Sequence, residues 1–126
     1  MLFDTDIFIW VKRGNLKAAR LIDASQERVL SVYTYKELLQ TAKNSQQHHI
    51  VKNFLSTFDF VVLPFTETIG HRALVYIEEY DALAHGLRAG DAITAATAVE
   101  NNLTLVSSNA KHFKPIRELK LIVFSP

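Results

Sequence analysis

The sequence predicts an α/β domain with a mostly parallel sheet of five strands. Short β-branched or aromatic runs alternate with longer segments of helical period, and the apolar runs are continuous, as in strands covered on both faces. The chain has 126 residues, enough for one hydrophobic core and too few for two. With no linker, repeat or low-complexity tract, residues 1–126 are read as a single domain.

The first strand is expected at residues 1–3, followed by helices at 5–13 and 16–24 that Gly14-Asn15 separates. A second strand at 28–32 leads into helices at 35–42 and 48–58. After a third strand at 60–65 comes the longest helix, 68–85, in which Ile69, Ala73, Ile77 and Tyr80 form an apolar stripe and Gly86 marks the stop. A helix at 92–101, closed by Asn101-Asn102, precedes strands at 103–107 and 119–124. Boundaries of this kind follow from caps and periodicity and are good to a few residues.

Composition excludes several classes of function. Fourteen Lys and Arg oppose thirteen Asp and Glu, so a net charge of +1 gives no strong electrostatic footprint for non-specific nucleic-acid binding, and the arrangement of charges matters more than their sum. Without cysteine there is no disulfide, thiolate nucleophile or sulfur-ligated zinc, which suits a reducing cytoplasm, and any metal must be held by oxygen or imidazole. No apolar run reaches the roughly 20 residues of a membrane span, and no signal peptide opens the chain.

The acidic residues carry the chemistry. Asp4 ends the first apolar run, Glu37 follows the second, and Asp91 opens Asp91-Ala92-Ile93-Thr94-Ala95-Ala96-Thr97-Ala98. Taken singly, each has an ordinary use: Asp4 and Asp91 as helix caps, Thr34-Tyr35-Lys36-Glu37 as a capping box. In a parallel sheet, however, ligand sites lie beyond the carboxyl ends of the strands, where Asp4, the Glu37 helix and the Ser107-Ser108-Asn109 turn would meet. A divalent cation is the usual answer to carboxylates gathered at one point. Asp6, two residues beyond Asp4, is expected to point away as a surface or supporting group. The small residues of the Asp91 helix would let it approach the sheet closely.

Phe3-Asp4-Thr5, Tyr35-Lys36-Glu37-Leu38, the run His85-Gly86-Leu87-Arg88-Ala89-Gly90-Asp91 continuing to Ala98, and Leu105 to Phe113 resemble the PIN-domain nucleases, in particular VapC-like toxins. The resemblance implies a three-layer α/β/α fold, an acidic pocket for Mg²⁺ or Mn²⁺ and hydrolysis of RNA phosphodiesters. It assigns the acids to Asp4, Glu37 and Asp91, and the orienting hydroxyl and amide to Ser107 and Asn109, with Thr5 beside them. His112 stands where the family commonly has an aspartate, which implies one tight ion with a second recruited by substrate. It further implies a cognate antitoxin that covers the pocket with a basic side chain, and a homodimer, for which Leu39, Ile50 and Phe54 are candidates.

RNA contacts are expected from Lys12, Arg13, Lys36, Arg88 and Lys111, with Trp10 or Tyr35 able to stack on a base unless they are buried. Two rivals stand against the nuclease. Phe3-Asp4-Thr5-Asp6 imitates the strand-end D-x-D of haloacid-dehalogenase-like phosphatases, with Asp4 as nucleophile. The other is a PIN-like module that binds RNA or protein without cutting.

Overall fold

The computed structural model describes residues 1–81 and 87–126. Five parallel strands, β1 (Leu2–Phe3), β2 (Val29–Ser31), β3 (Val61–Leu63), β4 (Leu105–Ser107) and β5 (Leu121–Val123), lie in the order β3-β2-β1-β4-β5. The helices are α1 (Thr5–Lys12), α2 (Leu16–Ala24), α3 (Val32–Thr41), α4 (Ser45–Thr57), α5 (Glu67–Asp81), α6 (Ala89–Glu100) and α7 (Ala110–Phe113). The expected end of the long helix at His85 and its Gly86 stop lie outside the described residues.

Alternation along the strands builds the three layers. Leu2, Val29 and Leu105 enter a core with Ile69, Ala73 and Tyr76 of α5, the alanines of α6 and Phe113. Their neighbours Phe3, Leu30 and Val106 enter a second core with Ile7, Phe8, Ala18, Ile22, Leu38 and Leu55 of α1 to α4. The register Leu2↔Leu105, Phe3↔Val106 keeps each set on its own face. Tyr35 and Trp10 are partly buried against the second core, and Arg13 lies over the Trp10 ring.

The strands are shorter than the apolar runs that announced them, because only the stretch paired on the sheet keeps ladder geometry. Another departure concerns α3. The Thr34-to-Glu37 capping box does not form: Ser31, the last residue of β2, caps the helix by accepting the Thr34 N–H at 3.0 Å. Strand runs straight into helix, so the helix starts three residues early and Glu37 falls in its second turn. Similarly, α6 begins at Ala89 rather than Ala92, and the Ser107-Ser108-Asn109 turn is followed by the short α7, for which no element was expected.

On the outer side of α5, Arg72 donates to Glu100 at 2.9 Å and to Glu118 at 2.7 Å, and the Tyr76 hydroxyl also bonds Glu118. This cluster ties α5 to the end of α6 and to the segment before β5. The Tyr76 hydroxyl first, and Arg72 after it, hold the Glu118 carboxyl below its usual range.

Candidate active site

Going from β3 to β4 the chain crosses over β2 and β1, so the connections diverge between β1 and β4, and this is where an open parallel sheet forms its crevice. Asp4 leaves β1 in extended conformation and caps α1, its Oδ1 accepting the Thr5 N–H at 2.9 Å. Its Oδ2 accepts from the Ser107 hydroxyl at 2.8 Å, across the cleft from the end of β4. Only 9% of Asp4 is exposed. Burial, then the charge of Asp6, push its pKa up to about 7 against the pull of Ser107 and Thr5, with Asp91 adding a smaller push.

The expectation that Asp6 points away is corrected. Its Oδ2 accepts the Ser108 N–H at 2.8 Å and the Ser108 hydroxyl, and lies 3.5 Å from Ser107 Oγ. Helical spacing separates residues two apart only when both are helical; Asp4 is the non-helical cap and Asp6 is in the first turn, so both reach the β4–α7 turn. The other Asp6 oxygen, Oδ1, is buried with no hydrogen-bond partner among the described residues.

Glu37, released from capping duty, accepts from the Thr5 hydroxyl at 2.6 Å. Buried Thr34 supports this pair: its Oγ1 lies 3.4 Å from Thr5 Oγ1 and 3.3 Å from Ser31 Oγ. Asp91, in the first turn of α6, lies at 3.5 Å from the Arg88 N–H, a long contact, and its Oδ2 is 3.0 Å from His112 Nδ1. That second contact brings the two groups together without a well-aligned hydrogen bond, for Nδ1 is otherwise unpartnered.

Ser107 and Asn109 differ in role. Ser107 is fully buried and its oxygen also accepts the Asn109 N–H at 3.0 Å. Asn109 is exposed, and among the described residues only its backbone joins the network. Tyr33 was missed in the sequence. Burial raises its pKa, and the Glu37 and Asp91 charges add to the rise, so its phenol stands near both acids. A methyl group built on Gly90 would come within 2.7 Å of the Tyr33 hydroxyl, so this ring requires a glycine there and seats the start of α6 against α3.

The cluster thus offers carboxylate oxygens from Asp4, Asp6, Glu37 and Asp91 and an imidazole nitrogen from His112, a donor set suited to a hard or borderline divalent ion. The bare oxygen of Asp6 and the raised pKa of Asp4 both fit a missing positive charge. Among the described residues, no three Asp, Glu or His side chains stand close enough to enclose an ion as they are. Lys12, Arg13, Lys36, Arg88 and Lys111 are all exposed; Lys36 lies over the Tyr33 ring, 4.4 Å from its centroid.

Comparison with known proteins agrees with the fold. A PIN-domain family profile matches residues 1–119. The ribonuclease VapC10 of Mycobacterium tuberculosis is 32% identical over 124 residues, spanning 95% of this chain and 90% of that protein. A toxin–antitoxin complex from Klebsiella pneumoniae contains a chain 29% identical with a TM-score of 0.81, covering 97% of this chain and 95% of its own. VapBC2 from Rickettsia felis, bound to a promoter DNA fragment, has the same fold at 21% identity, with a TM-score of 0.79 and 98% of both chains covered.

Proposed function

The chain belongs to the PIN-domain family, and we propose that it is a metal-dependent ribonuclease, the toxin of a toxin–antitoxin pair, that cuts RNA at the carboxyl edge of its sheet. The observation that supports this reading is the approach of Asp4 and Asp6 at the start of α1, Glu37 in the second turn of α3 and Asp91 in the first turn of α6 to one edge of the sheet, with hydroxyls as side-chain partners of Asp4, Asp6 and Glu37. Neither the phosphatase nor the non-cutting module is favoured by the family match, which extends over nearly the whole chain.

Asp4, Asp91 and Glu37 would hold Mg²⁺ or Mn²⁺, with Asp6 beside them. When bound, such an ion supplies charge to offset that developing on the phosphate and makes a water more acidic. The remaining work belongs to the chain. Ser107 fixes the orientation of Asp4, Ser108 that of Asp6, and Thr5 that of Glu37, so the carboxylates meet the ion and substrate without a large reorganisation. Exposed Lys36, Arg88 and Lys111 are the proposed contacts for flanking phosphates, since they lie on or beside the elements that carry the acids.

Cleavage of RNA by the purified chain in Mg²⁺ or Mn²⁺, lost on chelation and in Asp4→Asn or Asp91→Asn with circular dichroism unchanged, is the test. Phosphate release from small monoesters with intact RNA would reinstate the phosphatase.

The antitoxin is proposed to dock on an apolar groove of about 300 Å³ between α1, α3 and α4, lined by Ile9, Leu38, Ile50 and Phe54. Ile50 is 62% exposed there. Ile50→Glu should release a co-expressed antitoxin on affinity purification while sparing cleavage. A homodimer remains a proposal, with Leu39 on the shallower neighbouring surface as its candidate contact; the sedimentation coefficient of the chain alone measures it.

A further inference from the structure

We propose that His112 is a ligand of the bound ion, placing one imidazole nitrogen in an otherwise oxygen-built site and shifting its preference from Mg²⁺ towards nitrogen-seeking ions such as Co²⁺. The inference rests on reading the acidic edge as a metal site and concerns which ion it takes.

Three observations carry it. Phe113 is fully buried and anchors α7, which packs on α6, so its neighbour His112 is held at the start of the Asp91 helix. Nδ1 of His112 is buried and, among the described residues, lacks a well-formed hydrogen bond, a costly condition for a ring nitrogen unless something else uses it. Its separation from Asp91 Oδ2 is 3.0 Å. Two donors at right angles on one ion, with bonds of about 2.0–2.2 Å, stand roughly 2.8–3.1 Å apart. The pair is therefore already spaced as two adjacent ligands.

Imidazole suits the later first-row ions, whereas carboxylates and water suit Mg²⁺ and Mn²⁺. Exchanging His112 for an acid should reverse the preference. Exchanging it for asparagine, of similar size, removes the nitrogen donor with little change in packing.

The test is calorimetric titration of Mg²⁺ and of Co²⁺ into the full chain and into His112→Asp and His112→Asn, with proton NMR of the Co²⁺ forms. The expected result is a fall of about tenfold or more in the Mg²⁺-to-Co²⁺ dissociation-constant ratio in both variants. Paramagnetically shifted ring protons of one histidine, seen in the parent chain, should vanish from both. Binding of both ions by all three proteins with an unchanged ratio and unchanged shifted signals would overturn the role of His112 alone. If the parent chain takes up neither ion, the metal site itself fails and this inference with it.

Discussion

Two acidic clusters in this small domain are neutralised in opposite ways. At the outer face of α5, Glu100 and Glu118 share the guanidinium of Arg72, and Tyr76 completes the group. At the carboxyl edge of the sheet, Asp4, Asp6 and Glu37 receive hydroxyl and amide protons, and Asp91 has the neighbouring His112 and a long contact with the Arg88 N–H. In the first cluster the chain supplies its own cation, and the Glu118 carboxyl is held low. In the second it supplies none for Asp4, whose pKa is pushed up to about 7. Acids that serve the fold are paired within it; in the proposed function, the acids of the second cluster are oriented and left in need of charge.

The sharpest way to break this contrast is to remove an acid from each side. Asp4→Asn or Asp91→Asn should lower RNA cleavage by about 10³-fold or more, because in the proposed function several kcal/mol of transition-state stabilisation would come from an ion these acids hold. Glu118→Gln should leave the same rate within about twofold, since that carboxylate meets only Arg72 and Tyr76. Single-turnover assays on one RNA separate the two.

Acidity distinguishes the clusters by sign. A raised folded-state pKa means that Asp4 destabilises the metal-free protein progressively as pH rises from about 4 to 7, by at most about 4 kcal/mol. Urea midpoints should therefore climb as pH falls from 8 towards 5. Asp4→Asn should flatten that climb and raise stability at pH 8. Glu118 works the other way: its lowered pKa adds stability above the usual carboxylate range, which is lost as pH falls through the folded value. A metal-free urea profile without a rise between pH 8 and 5 would contradict the buried, uncompensated state of Asp4.

A milder test is Arg72→Met, which leaves Glu100 and Glu118 without their shared partner. The two carboxylates are about a quarter to a half exposed, so the expected cost is about 1–2 kcal/mol in urea unfolding, with cleavage retained. Smallest is Thr5→Val, which frees Glu37 from its 2.6 Å hydroxyl contact and should reduce cleavage about tenfold with little loss of stability.

The contrast also explains what could be read from residue order. Periodicity announced the sheet and its helices, and the acids at strand ends pointed to the crevice, because both are set by local spacing. Asp6 was misread because its partner is Ser108, 102 residues away, and no local rule reports which way a first-turn side chain leans towards a distant turn. Glu37 looked like a cap because the sequence around it is a good cap; Ser31 took the position since β2 leads directly into α3. Tyr33 and Gly90 carried no chemical signature apart, and only their close approach shows that they share a space.

The alanines of α6 have a consequence beyond the core they fill. Ala92, Ala95, Ala96 and Ala98 are fully buried, so the helix lies against the sheet with no spare room. A single methyl wedge, as in Ala95→Val, would tilt the rod and swing Asp91 away from Asp4, silencing the nuclease from a position that touches neither ion nor RNA. Loss of activity in this protein can therefore begin with bulk rather than charge, and surveys of inactive variants should find such apolar lesions alongside the acids.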